Sequence, residues 1–280
     1  VLIGGNAHGL GSEQRADYTY LGKDATINAS ALVNGNGGKV VLWSEIGTHF
    51  YGSILALGGE LSGNGGWVET SGHEFLNANG YVNTAANNGS NGIWLLDPSN
   101  VTISTGADAD YTDLATVFTP NSGAATSTVN TTTLANALLT NNITITTTNA
   151  GVDGGSVGNI TISNPVTWAS SNSLTLIAAN NIIISAAITI GNAAGAQLIL
   201  DAAGATTQTA IISGLGRLVL QGAGTTTLSL ATNSYSGGTF LNAGTLSVAS
   251  LPIAAGNSTI GTGALSINGG TLAYTGGNLN

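Results

Sequence analysis

Short apolar runs alternate with Gly/Asn clusters along the chain. Within 35–72, runs 40–44, 50–55 and 67–70 are each long enough for one strand and too short for a helix that buries a face. Val40, Leu42 and Phe50 are expected to face inward, with Lys39, Ser44 and Glu45 outward. The Asn-Gly-Asn-Gly-Gly at 34–38 returns as Gly-Asn-Gly-Gly at 63–66, about 28 residues later. A strand, a corner, a strand, repeated, is the pattern of a coil that stacks on itself. From 142 onward the period-2 pairs are Ile143/Ile145, Ile160/Ile162, Leu174/Leu176, Ile182/Ile184, Ile188/Ile190, Leu198/Leu200, Leu218/Leu220, Leu228/Leu230, Leu246/Val248 and Leu265/Ile267. Spacings of 17–20 residues (143 to 160, 198 to 218, 228 to 246, 246 to 265) suit a full coil, and spacings of 6–10 suit successive faces. Leu198, Leu200, Leu218, Leu220, Leu228 and Leu230 are expected in one buried column. The expectation is roughly 12–14 coils, a shaft ~60–65 Å long at ~4.8 Å per coil.

Residues 104–141 break the pattern. Asp108, Asp110 and Asp113 cluster, Pro120 interrupts, and Ala/Ser/Thr fill 123–133. Thr131-Thr132-Thr133 can cap a short helix over 134–140 with Leu134 and Leu138 on one face. The chain thus divides into a β-helical segment 1–103, a loop or small insertion 104–141 standing off the shaft, and a β-helical shaft 142–280.

Two resemblances add to this reading. Gly-Asn-Gly-Gly-Lys-Val-Val-Leu-Trp at 35–43, Phe-Tyr-Gly-Ser-Ile at 50–54, Gly-Asn-Gly-Gly-Trp-Val-Glu-Thr-Ser-Gly at 63–72 and Trp-Leu-Leu-Asp-Pro-Ser at 94–99 resemble filamentous-haemagglutinin-like exoproteins of two-partner secretion. That resemblance runs over roughly 1–105. It implies a right-handed parallel β-helix, an extracellular surface role and a shaft without catalytic residues. Residues 233–248 resemble the autotransporter-associated β-strand repeat through Tyr235, Gly237, Gly238, Thr239, Asn242, Gly244, Thr245 and Leu246, with a degenerate copy at 268–272. This implies the same fold. The fold class expected is all-β, a single right-handed parallel β-helix with one irregular insertion.

Composition narrows the function. Charged residues are 6% of the 280, far below the ~25% of ordinary domains. Net charge is −9, with Arg15, Lys23, Lys39 and Arg217 the only basic residues, so no nucleic-acid surface is available. No run of ~18 apolar residues spans a membrane. Cysteine is absent, which leaves ladders and core burial to stabilise an extracellular chain. Methionine is absent even at position 1, so a processed product or an excerpt of a longer protein is expected.

Each candidate for chemistry has a plainer reading. Asp108, Asp110 and Asp113 could hold Ca²⁺, but lack the spacing of a calcium loop and read as a solvated loop. Asp153 in Val-Asp-Gly-Gly does not build an iterated calcium repeat. Glu69, His73 and Glu74, with His8 or His49, could approach a zinc set but read as a surface turn. A carbohydrate-active enzyme of this fold needs paired acids, and 142–280 offers Asp153, Asp201 and Arg217 alone. Trp43, Trp67 and Trp94 could make a sugar-stacking strip but read as core fillers. The sequons at Asn28, Asn88, Asn100, Asn130, Asn142, Asn159 and Asn257 are no more than this composition yields by chance.

The resulting expectation is a structural and adhesive segment of a bacterial secreted or surface exoprotein, part of an extracellular fibre, with a filament subunit that self-assembles by end-to-end stacking as the alternative and a carbohydrate-active enzyme ranked behind both. No enzyme activity, catalytic residue, metal or cofactor is expected. Expected partners are a second copy or flanking parts of a longer chain, met end to end, and a host or cell-surface glycan or protein. Localisation is expected outside the cell or on its outer surface.

Overall fold

The computed structural model describes residues 1–97, 100–106, 111–114, 117–120, 126–147, 158–191, 193, 195–251 and 258–276. Its strands stack into a parallel β-helix with three faces. The first face holds, in order, Leu2–Ile3, Lys39–Leu42, Trp67–Thr70, Ile93–Leu96, Asn142–Thr146, Ser173–Ala178, Gln197–Ala202, Arg217–Leu220, Thr239–Leu241 and Leu265–Ile267. The second holds Tyr18–Leu21, Gly47–Phe50, Phe75–Ala78, Ser127–Asn130, Val101–Ser104, Ile160–Ile162, Ile182–Ile184, Thr206–Gln208, Thr225–Leu228, Thr245–Val248 and Thr271–Tyr274. The third face has Thr26–Asn28, Ser53–Leu55 and Tyr81–Asn83, then Val166–Thr167, Ile188–Ile190 and Ile212–Gly214.

Alternation along each strand sends one set of side chains to the axis, where parallel register stacks them. Val40, Val68 and Trp94 lie over one another, as do Leu174, Leu198 and Leu218. All six are buried. Each such aliphatic side chain withdrawn from water is worth about 1.5–3 kcal/mol.

The shaft is shorter than its sequence spacings suggest. Ten strands on the first face and eleven on the second give a stack of ~50 Å at ~4.8 Å per rung, against the 12–14 coils expected. The coils are wide because each turns three corners, and six of them carry a strand on all three faces. Ile143 and Ile160 lie on the first and second faces, as do Leu265 and Leu246, so those two spacings are not full coils. The 198-to-218 spacing is one. The leucine column is also split. Leu198, Leu200, Leu218 and Leu220 stack on the first face, Leu228 is buried on the second, and Leu230 follows its strand half-buried. Ile267, expected inside, is exposed in the last first-face strand. Ser44, expected outside, is buried and shares a 2.8 Å hydrogen bond with Thr48 at a corner.

The middle of the chain holds a dislocation. Val101–Ser104 and Ser127–Asn130 are adjacent and parallel, but the later strand takes the earlier place, beside Phe75–Ala78. An antiparallel hairpin, Tyr111–Leu114 with Val117–Pro120, lies between them in sequence. The second face thereby gains one rung over the first. The join to Phe75–Ala78 has one register pair, Asn77 with Thr128, and the Leu76 N–H donates to the Ser127 hydroxyl instead of a carbonyl.

Helix α1, Thr131–Ala137, takes the place of strands on the third face at this level, packing against Tyr81–Asn83 and Val166–Thr167. A helix is about 10 Å across, close to two rungs. The cap is Asn130, whose Oδ1 accepts from the N–H groups of Thr132 at 2.8 Å and Thr133 at 3.3 Å. The helix begins three residues earlier than the sequence suggests, because asparagine outcompetes the threonines as cap. Ser127–Asn130 and α1 therefore belong to the shaft rather than to a loop standing off it. Val129, Leu134 and Leu138 are buried there and complete the core.

Candidate functional site

Two places gather side chains that shaft packing alone does not require. The first is under the loop 4–16, which folds across the outside of the first face. The outward positions of three successive rungs there are Val41, Glu69 and Leu95, then Trp43, Ser71 and Asp97. All six are buried. Gly5 and Gly9 lie directly on the Trp43 ring. His8 reaches across two rungs, its N–H donating to Glu69 Oε1 at 2.9 Å and its Nδ1 lying 3.0 Å from Asp97 Oδ2. Among the described residues His8 is the only non-glycine with a positive φ, at 56°. The Asp97 hydrogen bond raises the His8 pKa above its usual value, and burial raises that of Glu69. Both carboxylates are covered by the loop, so the arrangement works as a clasp that ties the loop to the third and fourth rungs.

The sequence grouped Glu69, His73 and Glu74 with His8 or His49. The structure separates them. His8 joins Glu69, while His73 lies 3.5 Å from Glu45, which also binds Arg15 at 2.7 Å. Glu74 is exposed, and His49 lies on the second face. Among the described residues no group of three or more His, Asp or Glu side chains is arranged for a metal ion. Asp108, Asp110, Asp153 and Asn257 lie outside the described residues. Asp201 is half-buried on the outer side of its strand. The described sequon asparagines are used in turns and ladders. Asn159 Oδ1 accepts from Asn181 N, and Asn142 Oδ1 from Ser173 N.

The second place is an aromatic strip on the outside of the second face. Tyr18 and Tyr20 are exposed on the first rung. Register sets Tyr18 beside Gly47 and then Phe75, and Tyr20 beside His49 and then Asn77. His49 packs on Phe75 at 5.2 Å between centroids and on Tyr51 at 6.3 Å, and Tyr51 meets Tyr20 at 5.8 Å. Asn77 Nδ2 donates to the Tyr51 hydroxyl at 3.1 Å and fixes the ring. Burial holds the His49 pKa down to about 4, so the imidazole is neutral at physiological pH.

This strip ends in a cleft of about 210 Å³ between α1 and residues 79–82, the turn into Tyr81–Asn83 and the start of that strand. Tyr51, Ser53, Asn79 and Tyr81 supply one wall, and Thr133 and Asn136 the other. The cleft exists because a helix, not a strand, follows the third rung. Thr133 Oγ1 donates to Asn79 Oδ1 at 3.4 Å across it.

The three tryptophans of the sequence motifs at 35–43, 63–72 and 94–99 divide three ways. Trp94 is core, donating to Thr70 Oγ1 at 2.9 Å and meeting Phe50 edge-on at 5.9 Å. Trp43 is buried outside the shaft under the loop. Trp67, expected in the core, lies partly exposed with Lys39 Nζ 4.6 Å above its ring. Tyr18, Tyr20 and Tyr81 are not among the candidate binding residues that the sequence offers. The available signal was an aromatic on the outward phase of a strand beside inward Thr19 or Val82.

Residues 213–248 match the family model of the passenger-associated-transport-repeat. A search of the curated proteins found no match. The matched segment makes one coil and a half, and its signature residues have structural reasons. Tyr235 is fully buried, its hydroxyl 2.6 Å from Thr239 Oγ1, which itself donates to Ile260 O at 3.0 Å. Gly244 turns the corner at φ 68°, where a Cβ would meet the Gly222 carbonyl of the coil before. Thr245 registers on Thr271 of the degenerate copy, and Asn268 Nδ2 donates to Asn242 Oδ1 at 2.9 Å. The chain therefore carries a passenger-type transport repeat as part of a parallel β-helical shaft.

Proposed function

We propose that this chain is a structural and adhesive segment of a bacterial secreted or surface exoprotein, serving as shaft rather than catalyst. The observation that carries the reading is that the passenger-type repeat at 213–248 is continuous with the stacked coils before it. A second support is the segment 35–72, which resembles filamentous-haemagglutinin-like exoproteins and forms the second rung and the first strand of the third. A cysteine-free chain with few charges also suits export unfolded and stacking afterwards. The aromatic strip is the adhesive part of the proposal.

The test is to place the chain ahead of an outer-membrane translocator in a Gram-negative host stripped of its own adhesins. Protease shaving reads surface exposure, and attachment to cultured cells reads adhesion. Surface exposure with attachment above the empty translocator is expected. A chain that stays inside, or that is displayed without raising attachment, would overturn the reading.

A further inference from the structure

We propose that the cleft between Tyr51, Tyr81 and α1 binds one ring of a neutral saccharide, with further sugar units lying along Tyr51 and Tyr20. The proposal deepens the adhesive reading and rests on it for the ligand's source on a cell surface. Three observations carry it. The cleft, at about 210 Å³, is smaller than the roughly 300–1,000 Å³ that drug-sized ligands occupy, and suits a single ring. Its polar groups are amides and hydroxyls from Ser53, Asn79, Thr133 and Asn136, which both donate and accept as sugar hydroxyls do. Its aromatic wall offers Tyr81, 43% exposed, and Tyr51, whose hydroxyl is already held by Asn77. A tyrosine face packs on apolar C–H surface while its edge remains polar.

The lining carries no charge, which selects against carboxylated or sulfated sugars. The net charge of −9 acts in the same direction. The scaffold is preformed. Gly80 sits against the Phe50 ring, where any Cβ would collide, and α1 is anchored by buried Leu134 and Leu138. The strip from Tyr20 through Tyr51 continues the cleft in one direction, so a chain of two or three sugars can be followed by successive rings.

Saturation-transfer NMR and calorimetry on the purified chain test this. The probes are methyl β-galactoside, methyl β-glucoside, N-acetylglucosamine and lactose, with sialyllactose as the acidic counterpart. At least one neutral probe should bind with a millimolar-range Kd, and the disaccharide should bind more tightly than its single ring. Tyr81→Ala should weaken binding at least about tenfold, roughly 1.4 kcal/mol or more. Asn136→Ala, at an exposed helix position, provides a second variant that leaves packing intact and should weaken it several-fold. Trp67→Ala, on another part of the surface, should leave it unchanged. Absence of saturation transfer with every neutral probe at about 10 mM would overturn the proposal, even if the displayed chain adheres to cells. So would binding indifferent to both Tyr81→Ala and Asn136→Ala, or a preference for sialyllactose. Sugar binding by a chain that fails to promote attachment would uphold the cleft and defeat the adhesive reading alone.

Discussion

Asn141 shows how a single amide holds the dislocated rung. Its Oδ1 accepts from both the N–H and the hydroxyl of Thr84 at 2.5 Å, and its Nδ2 donates to Val82 O at 2.9 Å and Ala137 O at 2.7 Å. Asn141→Ala would bury several unpaired backbone groups and should cost about 2–4 kcal/mol in urea unfolding. Asn268→Ala, at an exposed ladder, should cost under about 0.5 kcal/mol. His49 supplies a pH signature. Its folded pKa of about 4 lies below the unfolded 6.5, so its stabilising effect is complete above 6.5 and is lost as pH falls toward 4. That loss is at most about 3 kcal/mol. His49→Phe should flatten the fall in melting temperature between pH 6.5 and 4 relative to the parent.

At the scale of elements, the loop 4–16 and α1 behave differently. The loop is tied down by titratable groups. The raised His8 and Glu69 pKa values mean that the clasp is fully stabilising below their unfolded values. It weakens as pH rises through the folded ones. Limited proteolysis within residues 10–15 should therefore increase as pH rises from about 6 to 8.5, with the shaft intact. In Asp97→Asn the main cause of the His8 shift is gone, so cleavage should already be fast at pH 6. Cleavage independent of both pH and Asp97 would show that the clasp does not hold the loop. Helix α1, by contrast, is held by core burial and an uncharged cap, so its protection should not follow pH over this range.

For the whole molecule, stability is a sum over neighbouring coils rather than a property of one globular core. Leu218 is fully buried between Leu198 and Thr239. Leu218→Asp would place an unpaired charge there at a cost of several kcal/mol. Hydrogen exchange should show protection lost around 197–241 and retained at 39–96, since the affected coils are distant from the first rungs. A variant with the parent's exchange pattern would refute the assigned inward face. Small-angle scattering of the purified chain should give a rod with a shaft of ~50 Å, in keeping with ten or eleven rungs.

Local pattern was enough to establish several features of this protein. Period-2 alternation marked the strands from Ile143 to Val248, Gly/Asn clusters marked the corners, and the frame from Tyr235 to Leu246 marked a transport repeat. These are legible because inward alternation and a positive φ at Gly244 are properties of residues a few positions apart. The tertiary structure alone decided how many faces a coil has, since 17–20 residues fit either one narrow coil or part of a wide one. It alone placed Ser127–Asn130 before Val101–Ser104, set α1 across two rungs, and brought His8 to Glu69 and Asp97, 61 and 89 residues away. It also assembled Tyr51, Tyr81 and Asn136 into one cleft. Those contacts depend on which rungs become neighbours, and that depends on the stacking of whole coils rather than on any short stretch of the chain.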